Sequence, residues 1–109
     1  MRYEYKMYIL QPFPTQLTAL HLAAIFNPAA VPVLLEANAE VNVVDNRNCS
    51  PLWWAALSNH REAVIALCEA GANPYLGKPS PLTWPHVSEE MKNLIRKLKL
   101  PDQVLHLYN

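Results

Sequence analysis

The chain has 109 residues, of which 51% are apolar and 17% charged, and nine basic residues balance nine acidic ones. That length suits one small domain, which buries roughly 60–70% of the surface its unfolded chain exposes. The composition argues against a disordered chain. Zero net charge argues against a nucleic-acid binder, which needs a basic stripe, and against a polybasic membrane anchor.

The first 14 residues form a leader segment. Tyr3, Tyr5, Met7 and Ile9 alternate with Arg2, Glu4, Lys6 and Tyr8. This period of two suits extended chain or a poorly ordered leader, broken by Pro12 and Pro14. Glu4 interrupts the basic start, and the apolar run Met7 to Leu10 is short for a signal peptide. No run of 18 apolar residues is present, so the sequence contains no candidate transmembrane helix. The expectation is an intracellular, cytoplasmic or nuclear location.

Thr18 is placed to cap a first helix containing the small pair Ala23-Ala24, and a second helix is expected over 29–37. The pattern then returns. Thr18 to Ala24 lies over Ser50 to Ala56 at a spacing of 32, and Leu34 to Ala39 lies over Leu67 to Ala72 at a spacing of 33. The first copy therefore lacks one residue near Asn27-Pro28. In the second copy Ser50 caps, Pro51 sits where a missing N–H costs nothing, and a second helix runs over 61–70. Val64, Leu67 and Cys68 give that helix one apolar face. Asn38 and Gly71 fall at the C-terminal turns, where a left-handed residue is wanted. Trp53 and Trp54 are neighbours on a helix and point about 100° apart, so one can be core while the other reaches a groove or the next repeat. A degraded third copy opens at Ser80-Pro81-Leu82, but Pro85 interrupts its first helix. Ser88-Glu89-Glu90-Met91 starts a last helix, basic toward its end and stopped by Leu100-Pro101.

These two copies resemble the ankyrin repeat, whose first helix opens with Thr-Pro-Leu-His-x-Ala-Ala and whose second ends in Leu-Leu-x-x-Gly-Ala. Thr18 to Ala24 departs from the opening only at Ala19, and Ser50 to Ala56 carries Trp53 for histidine. Asn42 and Asp45 match the Asn and Asp of the family's connecting loop. Asn27, Asn38, Asn48 and Asn59 stand where the family has glycine, and asparagine is the non-glycine residue that tolerates positive φ best. The resemblance implies an all-α ankyrin-repeat solenoid. Its parts are a leader (1–14), repeats over 15–44 and 45–77, and a degenerate capping unit over 78–109.

The resemblance also implies the function: non-catalytic binding of a protein partner on the concave face. Carried over position by position, that face holds Ile25, Phe26, Val44, Asn46, Arg47, Cys49, Leu57 and Ser58. Cys49 is expected at an exposed loop tip, and Cys68 on the apolar face of the second helix. His21 and His60 fall at structural positions of the family. No Cys-x-x-Cys pair, glycine-rich phosphate loop or nucleophile–base pair is evident, so no metal, cofactor or catalytic residue is expected.

The tail from Leu98 to Tyr108 resembles the end of a SOCS box, with Leu100, Pro101, Val104 and Leu107 as ligase-contact candidates. Lys99 replaces a proline, the last aliphatic and tyrosine are transposed, and no cysteine follows Cys68 to make the elongin contact. The alternative function is thus a substrate adaptor of a cullin-type ubiquitin ligase, with elongin or cullin as partner. A non-functional fragment is the third reading, because repeat stacks need about three units to bury a continuous core.

Overall fold

The computed structural model describes residues 16–99, which hold five α-helices and no strand. The helices are α1 (Ala19–Phe26), α2 (Val31–Glu36), α3 (Pro51–Leu57), α4 (Arg61–Glu69) and α5 (Glu89–Lys99), with a 3-10 turn at Pro28–Ala30. They pair as two antiparallel hairpins, α1–α2 and α3–α4. α3 packs on α1, α4 on α2, and α5 closes against α4. The leader and the tail candidates Leu100, Pro101, Val104 and Leu107 lie outside the described residues.

Local chemistry starts each helix. The Thr18 hydroxyl accepts the His21 N–H at 3.3 Å, and His21 Nδ1 accepts the Thr18 N–H at 3.1 Å. This is a reciprocal cap in which histidine does the work usual for Glu or Gln. Ser50 caps α3 alone, accepting the Trp53 N–H at 3.2 Å. Ser88 does the same for Met91 at the start of α5. The α1–α2 connection is tighter than the α3–α4 connection because one residue is missing. Pro32 has no N–H to give the Pro28 carbonyl, so Val31 bonds it instead and the entry becomes 3-10.

The interior is aliphatic and small. Leu20, Ala24, Val31, Leu52, Ala55, Ala56, Val64, Leu67, Met91 and Ile95 are all buried. The paired alanines let α3 approach α1 closely, and full burial of each Leu or Val contributes roughly 1.5–3 kcal/mol.

Aromatic N–H groups tie one repeat to the next. His21 Nε2 donates to the Cys49 carbonyl at 2.9 Å, and Trp53 Nε1 donates to the Pro79 carbonyl at 3.0 Å. Each carbonyl immediately precedes a serine that opens the next unit, Ser50 or Ser80. Trp53 thus takes over the histidine's bond with a longer ring. The ring fits because position 77 is glycine: a Cβ there would stand 2.9 Å from Trp53 Cδ1 and 3.0 Å from the Pro79 oxygen. Beyond Ser80 the chain makes one turn, with the Trp84 N–H on the Ser80 carbonyl, and Pro85 then prevents a helix.

Asn38, Asn48 and Asn59 adopt φ of 69°, 65° and 62°. Asn27 does not: its φ is −147°. It precedes Pro28, and a residue before proline is pushed into extended conformations. The shortened first connection therefore dispenses with the left-handed turn that Asn59 makes in the second.

Replacing Asn38 or Asn48 by glycine is expected to be neutral or to stabilise by up to about 1 kcal/mol, through relief of left-handed strain. Asn59→Gly gains less, because Asn59 Oδ1 accepts the Ser88 hydroxyl at 3.2 Å. Asn27→Gly destabilises, since no strain is relieved and chain entropy is lost. Urea midpoints of the four variants check this order.

Candidate functional site

The connecting loop between the repeats is built around one carboxylate. Asp45 is 3% exposed. Its Oδ1 accepts the N–H groups of Arg47 and Cys49, both at 2.9 Å, and its Oδ2 accepts Trp54 Nε1–H at 2.9 Å. The Asp45 N–H donates to the Cys49 carbonyl, and the Asn48 N–H to the Asp45 carbonyl. The loop closes into a rigid turn, with Asn48 as its left-handed residue. Asn46, Arg47 and Asn48 are left pointing to solvent. Asn42 fastens the other side of the connection, accepting the Asn73 N–H at 2.8 Å and donating to the Gly71 carbonyl at 3.3 Å.

Three of the eight predicted surface positions, Phe26, Asn46 and Arg47, are exposed, and Phe26 is 77% exposed. Ile25, Val44, Leu57 and Ser58 are half-buried, and Leu57 also packs on the core. The packing of α3 on α1 brings the helix ends that carry Ile25-Phe26 and Leu57-Ser58 alongside each other. Asp45 holds Arg47 and Cys49 in one turn.

Cys49 departs from the expectation of an exposed loop tip. It is 5% exposed, and its thiol donates to the Arg47 carbonyl at 3.6 Å. The turn folds around Asp45, and that closure draws Cys49 inward. Burial, assisted by the Asp45 charge, raises its pKa from 9.0 to about 11. Cys49 therefore offers no side chain to a partner. Cys68 lies buried on the inner face of α4, as its spacing implied, and burial raises its pKa to about 11 as well.

His60 Nδ1 bonds the Ala24 carbonyl at 2.8 Å, a cross-repeat tie like that of His21. It lines a groove of about 320 Å³ with Pro28, Asn59, Arg61 and Glu62. In sequence Pro28, Asn59 and His60 stand out only as structural positions of the repeat, because the groove arises only when the two helical turns sit side by side. It is open to solvent. Among the described residues no group of three or more His, Cys, Asp or Glu is placed to hold a metal ion. No described helix is long and apolar enough to cross a membrane.

The sequence model of the family described as ankyrin repeats (3 copies) matches residues 3–77. The chain belongs to the ankyrin-repeat family. The match begins upstream of Thr18, within the stretch read as a leader. Over 71 residues this ankyrin chain is 38% identical to Palmitoyltransferase AKR1 of Candida albicans, covering 64% of the chain and 9% of that relative. Over 66 residues it is 41% identical to Palmitoyltransferase Hip14 of Drosophila melanogaster, covering 59% of the chain and 10% of that relative. The chain spans about a tenth of the length of these curated relatives.

Two outcomes are expected at this site. Asp45→Ala removes the acceptor of three hydrogen bonds and should cost roughly 2–4 kcal/mol by denaturant unfolding, with Asp45→Asn in between because one oxygen remains. Both thiols should label only on unfolding. Between pH 9.0 and about 11 the unfolded chain releases thiol protons that the folded chain retains, so this contribution to stability is lost as pH rises through that window. Cys68→Ala should show a shallower fall in melting temperature over the same range.

Proposed function

We propose that this chain is a non-catalytic recognition module that binds a protein partner on its concave face, anchored by Phe26 and Arg47. The observation that carries the reading is an arginine exposed on a turn whose backbone is already hydrogen-bonded, joined by a 77% exposed phenylalanine at the end of α1. An exposed aromatic ring offers contact area at little conformational cost. A guanidinium offers five directed donors, and interface energy concentrates in such residues. Because the turn is fixed by Asp45, little further ordering opposes binding. The half-buried Ile25, Leu57, Val44 and Ser58 form the surround, and Asn46 adds an amide beside Arg47.

A second reading concerns context. Both relatives carry the name palmitoyltransferase, and their similarity to this chain falls on a stretch of ankyrin type. The module then serves palmitoyl transfer by holding a protein near the transferring centre. A partner captured through Phe26 and Arg47 would in that case carry a palmitoyl group when isolated from cells, which thioester-specific capture detects.

In affinity pull-downs, Phe26→Ala or Arg47→Ala is expected to weaken partner binding by roughly 1–3 kcal/mol, with melting temperature unchanged. Glu69→Ala, exposed on the opposite side, should change little. Binding that survives both substitutions and disappears on removal of residues 98–109 overturns the concave-face reading. That result favours a ligase adaptor acting through Leu100, Pro101, Val104 and Leu107.

A further inference from the structure

Charge is unevenly placed on the stack. The first helices, α1 and α3, carry no charged residue, whereas α2 and α4 carry Glu36, Arg61, Glu62 and Glu69, all exposed. Lys78 stands two places before Ser80, as Asn48 stands two places before Ser50, so Arg47-Asn48 and Lys78 occupy the tips of successive connections. All three residues are exposed. The acid of these tips, Asp45, is buried and already bonded by three donors. Glu40 is exposed, but it lies at the foot of its connection, just past the end of α2. Arg47 and Lys78 are therefore the exposed charges of the two tips. Both are positive, and neither enters an ion pair among the described residues.

What lies between the two cations is apolar. Trp54 Nε1 is held by Asp45 in the first connection, and Trp53 Nε1 by the Pro79 carbonyl, next to Lys78, in the second. The two rings meet edge-on with centroids 5.0 Å apart, and both are half-buried. The indole pair thus spans from one tip to the other. Both N–H groups are spent, so the pair presents only ring surface. Units stacked by helix packing stand about 8–10 Å apart, which sets the spacing of the tips. An extended chain advances about 3.1–3.4 Å per residue, so carboxylates two or three residues apart match that spacing. A single compact anion would instead have to draw both long side chains together.

We propose, on the reading of the concave face as a protein-binding surface, that its partner is an acidic segment in extended conformation. Two carboxylates, two or three residues apart, meet Arg47 and Lys78, and an apolar side chain between them rests on the edge of the Trp53–Trp54 pair. Arg47 takes its carboxylate through paired N–H groups, on a backbone already fixed by Asp45. Lys78 serves the other as a point charge. Both cations stand in water, so salt weakens this attraction.

The test is selection of random phage-displayed peptides of about a dozen residues on the full chain, followed by titration of the selected peptides in fluorescein-labelled form. The expected peptides carry Asp or Glu pairs two or three residues apart around an apolar residue. Arg47→Glu and Lys78→Glu should each weaken their binding about tenfold or more, with melting temperature unchanged. Lys97→Glu, which reverses an exposed cation on α5, should change little. The doubly reversed chain should in turn select Lys or Arg pairs. Selected peptides without paired acids overturn the proposal, as does equal weakening by Lys97→Glu or equally tight binding of a single-stranded oligothymidylate. Phe26→Ala separates this failure from failure of the concave-face reading. Peptides that lack acids yet are lost with Phe26→Ala overturn only the acidic chemistry. Peptides indifferent to Phe26, Arg47 and Lys78, or no selected peptide at all, overturn both.

Discussion

The stack depends on one repeated constraint, a ring N–H of each first helix holding the carbonyl that precedes the next unit's serine. His21 meets it through Nε2 and Trp53 through Nε1. A histidine has two ring nitrogens and uses both, one forward to Cys49 and one back to its own cap at Thr18. That arrangement fixes the tautomer: Nδ1 accepts, so Nε2 carries the proton. An indole has a single N–H. When Trp53 spends it on the next unit, α3 loses the reciprocal half of its cap. The larger ring also needs space, and Gly77 supplies it. Histidine to tryptophan is therefore one change with two structural consequences, a one-sided cap on α3 and a ring whose room depends on Gly77.

What was legible in the sequence was whatever depends on neighbours a few residues apart. The caps at Thr18, Ser50 and Ser88, the start of α4, and the left-handed Asn38, Asn48 and Asn59 all follow from residue type and spacing. The failures share a different origin. Asn27 was read by its place in the repeat, but the proline after it decides its backbone, and a deletion beside it removes the need for a left-handed turn. Cys49 was read as a loop tip, and the loop does turn there. A carboxylate that gathers two backbone amides and an indole makes the turn fold inward, and no spacing rule shows which side chains that encloses. At the candidate surface, the exposure of Phe26, Asn46 and Arg47 agrees with a position-by-position reading. The half-burial of Leu57 depends on how closely α1 and α3 approach, which the alanine pairs permit but do not specify.

The same loop chemistry bears on recognition. In a turn whose amides are unpaired, a partner must either satisfy them or keep water on them. Here the amides of Arg47, Asn48 and Cys49 are already bonded to Asp45, so the turn presents side chains and little else. Specificity then falls to Asn46 and Arg47, with Phe26 as the apolar contact. Burying the Asp45 carboxylate would be costly without partners, and it is tolerated because three donors reach it. The price is rigidity, which in a recognition turn lowers the entropy lost on binding.

The end faces follow from the same economy of partners. A repeat in the middle of a stack is covered on both sides, and each terminal repeat must find another solution. At the C-terminal end the chain abandons the repeat: Pro85 stops a third first helix, and α5 lies on α4 with Met91, Leu94 and Ile95 inward. Lys92 is kept inside with its ammonium 3.6 Å from Glu89, and Lys99 reaches the Cys68 carbonyl at the end of α4. That carbonyl, in the last turn of α4, also accepts the Gly71 N–H, and a lysine there answers the helix dipole. At the other end α1 and α2 leave Leu22 and Val33 exposed, with the exposed Glu36 one turn from Val33.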